Sequence, residues 1–76
     1  MRTIAEWNND EIKFSIMQWH SRYIVRAECF GLEQAFRLDV TEVNGPEQLR
    51  AKLDDTFVAN VRRRFAEMGK SWSQTL

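Results

Sequence analysis

Residues 44–76 read NGPEQLRAKLDDTFVANVRRRFAEMGKSWSQTL. This third of the chain decides the fold. Asn44-Gly45-Pro46-Glu47 has the chemistry of a helix start: Asn44 can cap, Glu47 follows three residues later as in a capping box, and Pro46 suits a first turn that needs no amide partner. Beyond it, Leu49, Leu53, Phe57, Val61, Phe65, Met68 and Trp72 recur at spacings of four, once three, which is one apolar stripe. The spacing slightly exceeds the helical period of about 3.6, so the stripe drifts around the axis. Phe57, Val61, Phe65, Met68 and Trp72 fit an arc of about 80°, with Leu49 and Leu53 to one side of it.

An unbroken helix would bring Arg50 and Asp54 into that arc. A break near residues 54–56 removes the conflict, because Asp54, Asp55 and Thr56 can each cap a second helix. A continuous helix over 46–68 would also measure about 35 Å, against a radius of gyration of about 11 Å for a globule of this size. The helix therefore breaks or overhangs. Gly69 reads as a C-terminal stop, leaving 69–76 as a tail with Trp72 folded back on the last turn.

Working toward the N-terminus, Phe36, Leu38 and Val40 alternate with Arg37 and Asp39, so 34–40 favours a strand over the helical turn that Leu32, Ala35 and Phe36 would also permit. Arg22 to Phe30 is rich in aromatic and β-branched residues. It sends Tyr23, Val25, Ala27 and Cys29 one way and Arg22, Ile24, Arg26, Glu28 and Phe30 the other. Glu11 to Trp19 separates Ile12, Phe14 and Ile16 from Lys13, Ser15, Met17 and Trp19 in the same manner. His20-Ser21 reads as a reversal, but without Asn-Gly chemistry it favours a wider loop. Asn8-Asn9-Asp10 is a hairpin loop, and 2–7 a short edge strand. No internal repeat stands out.

These elements predict a single α+β domain over 1–76: an antiparallel sheet of three to four strands within 2–43, then a helical region over 46–68 packed on one face. The expected core sets Ile12, Phe14, Ile16, Tyr23, Val25, Ala27, Cys29, Phe36, Leu38 and Val40 against Leu49, Leu53, Phe57, Val61, Phe65 and Met68. A chain of 76 residues buries only about 60% of its unfolded surface and gains from association.

Eleven basic residues balance eleven acidic ones, which argues against function classes that work through a large net field. One cysteine permits no internal disulfide and no cysteine zinc site. With no basic-then-apolar leader and no long apolar run, the expectation is a cytoplasmic protein that does not engage a membrane.

No catalytic constellation emerges. His20, the only histidine, falls in a turn, and Ser21 beside it makes no triad. Cys29 reads as a buried structural thiol. Asp54 and Asp55 would point about 100° apart on a helix and cannot converge on one substrate. No metal-ligand spacing, glycine-rich phosphate loop or cofactor motif occurs, so no cofactor or small-molecule ligand is expected.

Two surfaces remain. Arg62, Arg63 and Arg64 near the helix end complement its dipole; with Lys52 and Lys70 they are also a candidate anion or nucleic-acid contact. The outward sheet face carries Met17, Trp19, Arg22, Ile24, Arg26 and Phe30, too apolar for an ordinary solvated face and rich in the residue types of protein interfaces. The sequence thus reads as a non-enzymatic protein-interaction module, a small adaptor, regulator or inhibitor, that associates with another protein or with itself as a homodimer. A nucleic-acid-binding accessory domain using the arginine cluster is the alternative.

Overall fold

In the computed structural model, which describes Met1–Leu76 throughout, the chain is α+β. Four strands, β1 (Arg2–Asn9), β2 (Ile12–Trp19), β3 (Arg22–Cys29) and β4 (Leu32–Asp39), form an antiparallel meander in sequence order. A short 3-10 turn (Val40–Glu42) leads to two helices, α1 (Pro46–Lys52) and α2 (Asp55–Thr75).

The strands share one length and the connections another. Each strand has eight residues, and the pairs Asn9–Ile12, Trp19–Arg22 and Cys29–Leu32 close two-residue hairpins. This is a ten-residue structural repeat that residue types alone do not reveal. The first turn residue takes positive φ each time: 54° at Asp10, 55° at His20 and 48° at Phe30. Asp and His tolerate that region better than most side chains. Phe30 does not, but Gly31 follows at φ 77°, and positive φ at both central positions is what the type I′ hairpin needs. The His20-Ser21 loop is therefore tight rather than wide. Phe30 belongs to a turn, not to the outward face of β3.

The stretch expected as strand over 34–40 is strand rather than helix, but it starts earlier, at Leu32, and Val40 opens the 3-10 turn instead of extending β4. β1 is longer than expected and carries a bulge between Thr3 and Ala5. The extra residue lets Ile4 and Ala5 both pack toward the cluster around Ile16 and Tyr23.

The helical region breaks where the stripe changes phase. Asp54 caps α2, its carboxylate accepting from the Phe57 N–H at 3.0 Å. The break lets two short-range solutions replace one poor compromise. Leu49 and Leu53 seal a cluster built on Ile16, Tyr23 and Val25, while Val61, Phe65 and Met68 seal another built on Ile12, Phe14 and Ala27. Phe57 and Trp7 touch both.

Two expectations fail at the helix ends. α1 is not capped by Asn44: Gly45 is its N-cap at φ 90° and no side chain caps it, while the Asn44 N–H donates to Gln48 Oε1 at 2.6 Å. Gly69 does not stop α2, which continues to Thr75. The Leu32 side chain lies against Gly69, 3.9 Å from where a Cβ would stand. Gly69 is therefore an interior helical position, and the six residues beyond it carry α2 on through Trp72. Residues 69–75 are thus helix, not tail. The overhang lengthens the molecule to 40 × 24 × 18 Å with a radius of gyration of 13.3 Å, above the roughly 11 Å of a compact chain this long.

Candidate interaction surface

Because both helices pack on one face, the opposite face of the sheet has no covering layer. Antiparallel pairing arranges it in rows. Trp19, Arg22 and Asp39 make the end row; Thr3, Met17, Ile24 and Arg37 the next; Glu6, Ser15, Arg26 and Ala35 the third; Asn8, Lys13, Glu28 and Glu33 the last. The period-two alternation read from the sequence put the members of these rows from β2 and β3, with Arg37 and Asp39 of β4, outward; the register adds Thr3, Glu6 and Asn8 of β1 and Glu33 and Ala35 of β4.

The rows differ in how far they are already satisfied. Met17 is only 7% exposed and Ser15 is also buried, so the middle of the face is sealed by its own neighbours. Arg26 pairs with Glu33 at 2.7 Å and Glu28 at 3.6 Å. The Nε contact to Glu33 is electrostatic, not an aligned hydrogen bond. At the opposite end, Trp19 remains 47% exposed, standing over a shallow hollow of about 340 Å³ with Ile24, Arg22 and Arg37. Neither Arg22 nor Arg37 makes an ion pair within 4 Å.

Asp39 does bear on Arg22. Its carboxyl is held below the usual range, first by the Thr41 N–H, then by the Thr41 hydroxyl, with Arg22 adding to the effect. The same carboxylate caps the 3-10 turn, so its lone pairs are directed at Thr41 (3.0 Å from N, 2.8 Å from Oγ1) and not at the guanidinium. Trp19 is propped edge-on against His20, ring centroids 5.2 Å apart.

Of the six residues expected at this face, Trp19, Arg22 and Ile24 converge. Arg26 is tied down, Met17 is sealed and Phe30 lies elsewhere. Arg37, from β4, joins the hollow because it is the cross-strand partner of Ile24.

The arginine run on α2 is held apart. Arg62 reaches the β1–β2 hairpin, donating to Asn9 and to Asp10 Oδ2 at 2.8 Å. Arg64 donates from Nε to Gln34 Oε1 at 2.9 Å and lies over the Phe36 ring. Arg63 points to Glu67 on the exposed side. Each has an intramolecular partner, and they do not form one patch.

A second recess lies at the far end of the molecule, on the helical side. α2 and the tips of the β1–β2 and β3–β4 hairpins enclose a cleft of about 430 Å³ with Ile12, Leu32 and Phe65 inside and Phe30 and Trp72 at its mouth. Cys29 opens into it. The thiol is half-buried rather than fully buried; burial and Glu11 raise its pKa, against the opposing pull of Arg62. That keeps it protonated and inert at neutral pH. Residue types alone do not show this cleft: it depends on how α2 lies against the hairpin tips, and two of its lining residues, Trp72 and Ser73, come from the part of α2 past Gly69.

His20, Cys29 and the carboxylates form no cluster of three metal-ligating groups, and no helix is long and apolar enough to cross a membrane. Comparison with known proteins finds no matching family model, no matching curated protein and no matching solved structure.

Proposed function

We propose that the chain is a non-enzymatic protein-interaction module, a small adaptor, regulator or inhibitor that binds another protein through the exposed end of its sheet face. The observation that supports this is the hollow at Trp19. An indole carried on β2 stands half-exposed in a hollow that it lines with an aliphatic side chain, Ile24, and with Arg22 and Arg37, two guanidiniums without ion-pair partners.

Trp and Arg are the residues most enriched at interface hot spots, where an aromatic anchor enters a pocket and charged groups rim it. The complementary partner surface carries an apolar recess for the indole with carboxylates placed to meet Arg22 and Arg37. Presentation on a sheet adds little ordering entropy on binding.

Trp19→Ala with Ile24→Ser, both on the solvent side of the sheet, tests this by isothermal titration against the captured partner. The module reading expects a loss of at least about 2 kcal/mol in binding with the fold intact; unchanged affinity overturns it.

The nucleic-acid alternative has less support, given zero net charge and three arginines that diverge. It predicts affinity falling steeply with salt. Fluorescence anisotropy with single-stranded and duplex oligonucleotides separates the two, the protein reading predicting no salt-dependent binding.

A further inference from the structure

The overhanging end of α2 is built as though something supports it, and its own sheet does not. At about 1.5 Å per residue the helix is roughly 31 Å long, whereas eight-residue strands span about 26 Å. Past Gly69, beside which Leu32 packs, every helical position is exposed. Five of the seven residues over 69–75 are Gly, Ser, Trp or Thr, weaker helix formers than Lys or Gln. A helix end of that composition draws its stability from packing.

The surface beside it carries both halves of a contact. The cleft between α2 and the hairpin tips is the hole, and Trp72 at its mouth, 55% exposed, is a knob. Phe30, 84% exposed, stands at the cleft's other lip in a backbone conformation that costs a bulky residue energy. A knob and a hole on one patch satisfy the requirement of a two-fold contact, in which the same surface serves both chains.

The charges agree. Glu11 lies on the hairpin wall of the cleft, and Lys70, next to the cleft-lining Gly69, flanks the overhang about 160° around the helix from Trp72. Both are exposed, and neither forms an intramolecular ion pair.

From this we infer that two copies of the chain associate about a two-fold axis through this end, α2 crossing α2. The indole of each Trp72 enters the cleft of the other copy, and each Lys70 meets the other copy's Glu11. Aromatic side chains bury about 150–250 Å² each. Phe30 and Trp72 from two copies therefore contribute roughly half of the ~1,000 Å² that a specific interface requires, and the helix flanks and cleft walls contribute the rest. The contact goes beyond the docking proposed at Trp19 and gives the self-association expected from the sequence a place. It leaves both sheet faces free, so the two surfaces are tested separately.

Sedimentation equilibrium of the whole chain up to about 100 μM tests it, with circular dichroism as the check on folding. The wild type is expected to be a dimer. Trp72→Ala weakens it by at least about 30-fold, and Trp72→Phe by less. Glu11→Lys and Lys70→Glu each weaken it several-fold, and the double reversal restores it. Trp19→Ala with Ile24→Ser leaves it unchanged. A monomeric wild type, an undiminished dimer in Trp72→Ala, or no rescue by the double reversal overturns the inference. So does a dimer that dissolves only when Trp19 and Ile24 are changed, which assigns self-association to the sheet.

Discussion

Arg64 Nε donates to Gln34 Oε1 at 2.9 Å while Gln34 Nε2 donates to the Val61 carbonyl at 3.0 Å, so one buried amide ties β4 to two successive turns of α2. Gln34 lies on the core side of β4, between the inward positions of Leu32 and Phe36. It is tolerated there because both ends of its amide are satisfied. It also fixes the rotation of α2 over the sheet, and with it the direction in which Trp72 leaves the molecule.

Gln34→Ala leaves the Arg64 Nε without its acceptor and opens space under α2. A loss of about 1–3 kcal/mol is expected, read as a lower urea midpoint with an unchanged m-value.

The break at Leu53 carries a separate prediction. Asp54 supplies a carboxylate to the Phe57 N–H at the start of α2. Asp54→Ala should cost about 0.5–2 kcal/mol, and Asp54→Ser much less. Thermal unfolding of the three proteins checks the order.

Phe30 sets stability against assembly. Phe30→Asn places the residue best suited to positive φ before Gly31. Unfolding at concentrations where the chain is monomeric should show a gain of about 0.5–1 kcal/mol, within the roughly 1–2 kcal/mol penalty of a left-handed L-residue. The same substitution removes an exposed aromatic from the cleft mouth and should weaken self-association.

Asp39 gives a pH signature. Its folded pKa lies below the ordinary value, so its contribution to stability is present above about pH 4, the unfolded value, and is lost as pH falls through the folded one. Asp39→Asn should be less stable than the wild type at pH 6, and the two should converge in acid. Urea midpoints measured from pH 6 to about pH 2 follow the difference.

Much of this was legible in the chain itself. Alternation in β2, β3 and β4 assigned the two faces, and the phase of Leu49 and Leu53 against Phe57, Val61 and Phe65 located the helix break. These signals are periodic and local. What could not be read depended on tertiary contact. α2 runs through Gly69, which packs beside Leu32, in place of the expected stop, Gln34 is buried with bonds to α2, and Phe30 sits in a turn that its residue type disfavours. At the sheet face, Trp19, Arg22 and Ile24 followed from period two. Arg37 needed the β3–β4 register, and the sealing of Met17 needed its cross-strand neighbours Thr3 and Ile24.

The central claim is that a protein partner docks on the hollow at Trp19. Site-specific photocrosslinking in the cells that make the protein tests it most directly, with p-benzoylphenylalanine replacing Arg37 at the hollow or Thr56 on the exposed side of α2. The account predicts a discrete adduct of another protein from position 37, absent from position 56 and lost when Trp19→Ala is added. An adduct from position 56 with none from position 37 would contradict it.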